Sequence, residues 1–246
     1  MNVNHVSKEF WNLVDESSSH LRGKIMSHGS VQRPIFSSLD QLIEDHFSLY
    51  SEPSHPCRPS LHLALDLLYG KPAVIFETGS SAWGSNSSLL FDSYVNSFGG
   101  EFFSVDLRVE PMMSLSKMCS SRTQLHCDDS VAFLKRNLSK IRNADLVYLD
   151  SWDVDWSDPL PSAIHGFHEF MTILPCLKPG ALLLVDDTPR DSIVLMQVQP
   201  QSVPEFLASA EKYLFIPGKG GLIKKYLENN SIGSAIEHQY QLLWKF

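Results

Sequence analysis

The sequence predicts a doubly wound α/β sheet, and three observations carry the prediction. The apolar, partly β-branched run Ala73, Val74, Ile75, Phe76 reads as a buried central strand. Glu77, Thr78 and Gly79 then turn it into a small-residue loop over 80–88, with a helix from about Asn86. Residues 101–105 read as the next strand, with Asp106 at its carboxyl end, 29 positions after Glu77. Beyond Asp106, apolar strands alternate with helical periodicity, as a parallel sheet requires. In the first such unit, helix amides and a close backbone approach bind a nucleotide-like ligand, and an acid ending the second strand accepts from ribose hydroxyls.

Length and composition bound the rest. A chain of 246 residues can bury a full core and is most simply one α/β domain with an added segment. Its formal charge of −8, without a basic run, argues against a nucleic-acid partner, which needs clustered Lys and Arg. Cys57, Cys119, Cys127 and Cys176 are widely separated and form no metal-type pairs, so they are expected to be reduced packing residues. Residues 1–19 are polar and acidic where a signal peptide needs an apolar core. No apolar run reaches membrane-spanning length, so a cytoplasmic protein without a membrane partner is expected.

The elements follow in order. Residues 7–22 are predicted helical, with Phe10, Leu13 and Val14 on one side. Leu39, Leu42, Ile43, Phe47 and Tyr50 recur at helical spacing behind capping serines. Pro53, Pro56 and Pro59 make 51–59 a linker into a helix over 60–69. Residues 1–69 therefore form a helical N-terminal segment, either a lid over a ligand site, a packing layer on the sheet, or the contact of a homo-oligomer, and 70–246 form the main domain. After Asp106 a helix is expected over 111–121, a strand over 123–126 and a helix over 131–138. A strand over 145–149 ends in Asp150, a crossover helix covers 161–176, and an almost wholly apolar strand over 181–185 ends in Asp186 and Asp187. A helix over 204–212 leads to a strand over 213–217, and 239–246 close the sheet, giving seven strands.

The loop after the first strand departs from a dinucleotide fingerprint: Gly79 is followed five residues later by Gly84 and Ser85, and Glu77 precedes the first glycine. A pyrophosphate repels a carboxylate there, whereas a ligand carrying an ammonium and a sulfonium attracts one. On Glu77, Gly79 and Asp106 the stretch resembles the first two motifs of class I S-adenosylmethionine-dependent methyltransferases. The resemblance implies a Rossmann-like seven-stranded sheet with an antiparallel last strand, S-adenosylmethionine as cosubstrate, and Gly84 and Ser85 in its loop. It also implies that an acid after the third strand accepts from the adenine amino group. Asp129 is the first choice and Asp128 the second, with Ser130 beside them, although acids at a helix start also act as plain caps.

Strand carboxyl ends share one crevice, so Glu77, Asp106, Asp150, Asp186 and Asp187 should converge, and five carboxylates together need compensation. Glu77 and Asp106 are accounted for by the cosubstrate; Asp150, Asp186 and Asp187, from two adjacent strand ends, suit a hard divalent cation such as magnesium. The run Leu149, Asp150, Ser151, Trp152 followed by 177–188 resembles the metal motif of catechol and macrocin-type sugar O-methyltransferases, over roughly residues 60–246. Catechol enzymes carry a lysine base three positions after the first metal ligand, where this chain has Asp153; the sugar enzymes carry an acid two positions after it, where this chain has Trp152. Asp153 is therefore the candidate general base and Asp150 a second catalytic carboxylate.

These readings make metal-assisted O-methylation of a small hydroxylated acceptor, sugar or catechol-like, the leading expectation. A metal-independent methyltransferase and a non-catalytic S-adenosylmethionine-binding module that recruits a protein partner are the alternatives. His165 and His168 on the crossover helix read as ordinary helix histidines. Lys219, Gly220 and Gly221 resemble a phosphate loop only superficially, and Trp83 and Trp152 default to core or rim packing.

Overall fold

The computed structural model describes residues 34–80 and 84–246, together with the backbone of 23–25. The helix expected over 7–22 and the Trp83 side chain lie outside these residues.

Among the described residues eight strands form one sheet: β1 (Gly23–Ile25), β2 (Ala73–Thr78), β3 (Gly100–Asp106), β4 (Thr123–Cys127), β5 (Leu146–Leu149), β6 (Leu182–Val185), β7 (Ser234–His238) and β8 (Leu242–Lys245). Their order is β1-β4-β3-β2-β5-β6-β8-β7. The five inner strands β4 to β6 run parallel, β8 is antiparallel to β6, and β7 and β1 are antiparallel edge strands. The seven-stranded frame with an antiparallel last strand is thus as expected, and β1 adds an eighth strand.

Two layers of helix cover the sheet because side chains alternate across each strand. Ile75, Phe102, Leu146, Tyr148, Leu182 and Leu184 face one side. There they meet α1 (Leu39–Leu49), α2 (Arg58–Asp66) and α3 (Ser87–Phe98). Phe76, Phe103, Val147, Leu149, Leu183 and Val185 face the other. The helix α4 (Val109–Ser116) packs in a smaller cluster with Leu89 and Leu125, and α5 (Ser130–Arg136), α6 (Leu138–Ile141), α7 (Leu160–Ile173) and α10 (Gly221–Asn229) cover this second side. The helices α8 (Ser192–Val198) and α9 (Val203–Tyr213) return to the first side through Val194, Leu195 and Phe206. Phe76 and Phe103 stack at 4.7 Å, which adds about 0.5–1.5 kcal/mol to their burial.

Leu42, Ile43, Phe47, Leu61 and Leu65, all from the N-terminal segment, lie in the same cluster as the strand residues of the first face. Ser38 caps α1 by accepting from the Gln41 amide at 3.3 Å.

The strand expected over 213–217 is absent. Tyr213 ends α9, Leu214 takes a left-handed φ of 57° that stops the helix, and the chain then turns through Gly218. The place of that strand belongs to β7, which has mostly exposed residues and no apolar run, so hydrophobic pattern alone does not reveal it. The sequence pattern predicts neither α8 nor α10; α8 is only seven residues long, and α10 begins at Gly221, a residue type that disfavours helix.

Candidate functional site

Strand register sets the site. Each inner strand hands a backbone bond to its neighbour at the carboxyl edge: Gly79 N to Val105 O, Asp128 N to Asp106 O, Asp150 N to Thr78 O and Asp186 N to Leu149 O. The residues that follow β2 to β6 therefore stand in a row along one crevice. A cavity of about 920 Å³ opens there, with Gly79, Gly84, Ser85, Asp106, Asp128, Asp129, Ser130, Asp150, Asp153, Asp186 and Asp187 all on its wall.

Gly79 has φ +82°, and a Cβ there would overlap the Asp150 carbonyl and come within 2.7 Å of Ser151 N. Only glycine lets the first loop pass this close to the end of β5. Glu77 is expected in the site but faces away from the cavity. Its buried carboxylate accepts from Ser87 Oγ at 2.6 Å, and from Ser88 Oγ and Ser104 Oγ at 2.5 Å each. Burial pushes its pKa up to about 7, against the lowering effect of these three hydroxyls.

Asp106 is held by Arg108, whose Nε and Nη2 donate to the two carboxylate oxygens. Asp129 caps α5 by accepting from the Ala132 amide at 2.8 Å, and Asp128 pairs with Arg136 and accepts from the Asp129 amide. Both acids thus have structural work as well as a place on the cavity wall. His165 meets Ser130 Oγ at 3.0 Å and faces Trp152 at 5.3 Å between ring centres; His168, three residues on, is exposed. Burial lowers the His165 pKa, but the Glu169 carboxylate outweighs it and raises the group above its usual range.

Asp150, Asp186 and Asp187 each place a carboxylate oxygen within 4.8 Å of the others. Three hard oxygen donors at that spacing fit a divalent cation. Asp186 Oδ1 accepts from Gln241 Nε2 at 2.6 Å and from Cys57 Sγ at 3.4 Å; Asp187 Oδ1 accepts from Tyr240 Oη at 2.7 Å; Asp150 Oδ2 accepts from Tyr148 Oη at 3.2 Å. The antiparallel pairing of Val185 with Leu242 is what brings Gln241 beside Asp186.

Sequence reasoning missed Lys219. Its ammonium lies 2.5 Å from Asp150 Oδ1, 3.0 Å from Asp187 Oδ2 and 4.0 Å from Asp186 Oδ2, with the side chain 2% exposed. Burial alone lowers its pKa, but the carboxylates led by Asp150 outweigh burial and hold the amine charged. Burial, then the neighbouring Asp186, pushes the Asp150 carboxyl up; burial pushes Asp186 the same way, but the Lys219 ammonium and the donors Gln241 and Cys57 outweigh it and keep Asp186 low. The available signal was the need of five converging carboxylates for a cation, together with a lysine set among glycines near the end of the chain.

Trp152 and Asp187, just past β5 and β6, are non-glycine residues with φ of 64° and 40°. Each such residue costs about 1–3 kcal/mol, and both lie on this cavity. Asp153 is an exposed part of the same wall.

No protein-family model and no curated protein matches the chain. Among solved structures, MycE methyltransferase from the mycinamycin biosynthetic pathway, in complex with Mg, SAH and mycinamycin VI, is similar with TM-score 0.56 and 15% identity, covering 87% of this chain and 55% of that one. A second crystal form, with Mg and SAH, gives TM-score 0.53 and 14% identity over 84% and 52%. The chain spans about half the length of these structures, and the likeness is one of fold.

Proposed function

We propose that the protein is an S-adenosylmethionine-dependent methyltransferase acting on a hydroxyl oxygen of a small acceptor, sugar or catechol-like. The observation that carries this reading is the single cavity on which the Gly79 loop, Asp106, the Asp128 to Ser130 corner and the Asp150, Asp186, Asp187 cluster all meet. A fold shared with a methyltransferase solved with Mg and SAH supports it.

In this reading the ribose hydroxyls donate to Asp106, and the adenine amino group meets Asp128 or Asp129 beside Ser130. The methionine end lies along Gly79, Gly84 and Ser85, with Glu77 beneath as a buried countercharge. The sulfonium methyl then points toward the ends of β5 and β6. The acceptor enters between Trp152, Asp153, Trp156 and His55, with residues 34–69 supplying His55 and Cys57 as a packing layer that also closes the site. Its oxygen attacks the methyl carbon in line with the carbon–sulfur bond, the carbon–sulfur electron pair stays on sulfur as S-adenosylhomocysteine leaves, and the hydroxyl proton passes to Asp153 and on to water. Holding the two reactants in line supplies much of the rate. Asp150, Asp186 and Asp187 would hold a divalent cation only with the Lys219 ammonium displaced from among them, and a cation so bound would supply polarisation of the acceptor oxygen and a place for a diol to chelate.

Calorimetric titration tests the assignment. S-adenosylmethionine and S-adenosylhomocysteine are expected to bind and nicotinamide dinucleotides are not; tight NAD binding instead would overturn it.

A further inference from the structure

We propose that the Lys219 ammonium and a divalent cation are mutually exclusive occupants of the Asp150, Asp186, Asp187 cluster, and that the ammonium is the occupant built into the fold. The inference takes the crevice as the methyl-transfer site only for its functional meaning; the exclusion itself rests on geometry.

The oxygens a cation would need are those already facing Lys219. On the far side, Tyr148 donates to Asp150 Oδ2, Gln241 and Cys57 to Asp186 Oδ1, and Tyr240 to Asp187 Oδ1. The inner oxygens Asp150 Oδ1, Asp187 Oδ2 and Asp186 Oδ2 surround Nζ at 2.5, 3.0 and 4.0 Å. A magnesium-sized ion bound to the same oxygens would sit about 2.0–2.1 Å from each, within contact of the ammonium, and two cations cannot share that space.

The lysine does not reach this place by chance of rotamer. Its amide donates to Asp187 O at 3.2 Å, and Nζ also donates to the Asp150 carbonyl at 3.3 Å. Gly218 has φ +117°, and a Cβ there would overlap Asp187 O. On the other side, a Cβ on Gly166 of α7 would come within 2.8 Å of Lys219 O. Backbone thus closes around Lys219 from the β6 end and from α7, and the side chain has one direction to extend. The fold delivers a tethered cation to three acids, where it acts at high effective concentration against any ion from solution.

Manganese is the probe. Binding of Mn2+ to wild type and to Lys219→Met, followed by electron paramagnetic resonance, is expected to be about 5- to 150-fold tighter in the variant, the usual range for coupled sites. Metal-free Lys219→Met should melt below wild type and recover with Mn2+, while wild type barely responds at the same concentration. Equal affinities, or no Mn2+ binding by the folded variant, would overturn the proposal. Lys219→Gln, which keeps a donor near the acids, serves if the methionine variant does not fold. Should neither fold, wild type decides: stoichiometric uptake of Mn2+ overturns the exclusion, and no uptake in large excess supports it. S-adenosylhomocysteine binding to wild type, measured on the same samples, reports on the methyltransferase reading alone.

Discussion

Arg108 grips Asp106 from two sides, with Nε 3.0 Å from Oδ1 and Nη2 2.7 Å from Oδ2, while its own amide donates to Oδ1 at 2.8 Å. The acid is therefore aligned before any ligand arrives: Oδ1 is filled by its two bonds from Arg108, and Oδ2, which accepts one, keeps a lone pair for a ribose hydroxyl. Asp106→Ala should weaken S-adenosylhomocysteine binding by about 1.5–3 kcal/mol, the size of hydrogen bonds to a charged group. Arg108, whose side chain is 59% exposed, should matter less: Arg108→Ala is expected to cost under about 1 kcal/mol in the same calorimetric titration. Equal losses would show that Arg108 itself contacts the ligand.

Glu77 makes stability depend on pH. Its folded pKa, about 7, stands above the ordinary 4.5, so between these values the folded state binds more protons than the unfolded one. Its contribution is present in full below about pH 4.5 and is lost as the pH rises through 7. Urea melts of wild type against Glu77→Gln should show the variant gaining, relative to wild type, up to about 3 kcal/mol between pH 4.5 and pH 8. A pH-independent difference would mean that the three serine hydroxyls carry the ionised carboxylate without strain.

Gly79→Ala tests the close approach of the first loop to β5. Overlap with the Asp150 carbonyl and a left-handed φ act together, so a loss of about 1–3 kcal/mol or more in stability is expected, with loss of S-adenosylhomocysteine binding. Gly180→Ala is the control: its φ is +86° but nothing lies within 4 Å of an added Cβ. It should be destabilised by backbone strain alone, and ligand binding should persist.

Asp153→Asn removes the proposed proton acceptor without touching a buried group, since Asp153 is exposed on the cavity wall. Melting temperature and cosubstrate affinity should stay unchanged, while kcat for a diol acceptor falls about 10²- to 10⁴-fold. Unchanged kcat would pass the role to another group on the cavity.

Excess chelator should leave turnover of a diol acceptor by wild type unchanged, because the Lys219 ammonium already holds the three acids. Loss of turnover in chelator, restored by magnesium, would place a cation at the cluster and overturn the exclusion.

The sheet and the row of acids were legible in the sequence because both are local. A buried strand announces itself as an apolar run, as at 73–76 and 181–185, and the acid that follows it must stand at the carboxyl edge whatever the loops do. Edge strands carry no such mark: β7 is exposed, and an apolar run at 213–217 that looked like a strand is the end of a helix stopped by Leu214. The partners of the acids were decided only by tertiary structure. Glu77 is turned from the cavity by Ser104, 27 residues away, and Asp186 is held by Gln241, 55 residues away. The charge that a cluster of acids demands can be inferred from the sequence, but its source cannot, because a solution ion and a lysine 69 residues from Asp150 satisfy the same electrostatic need. Packing settles which is at hand, by closing the backbone of Gly218 and Gly166 around Lys219.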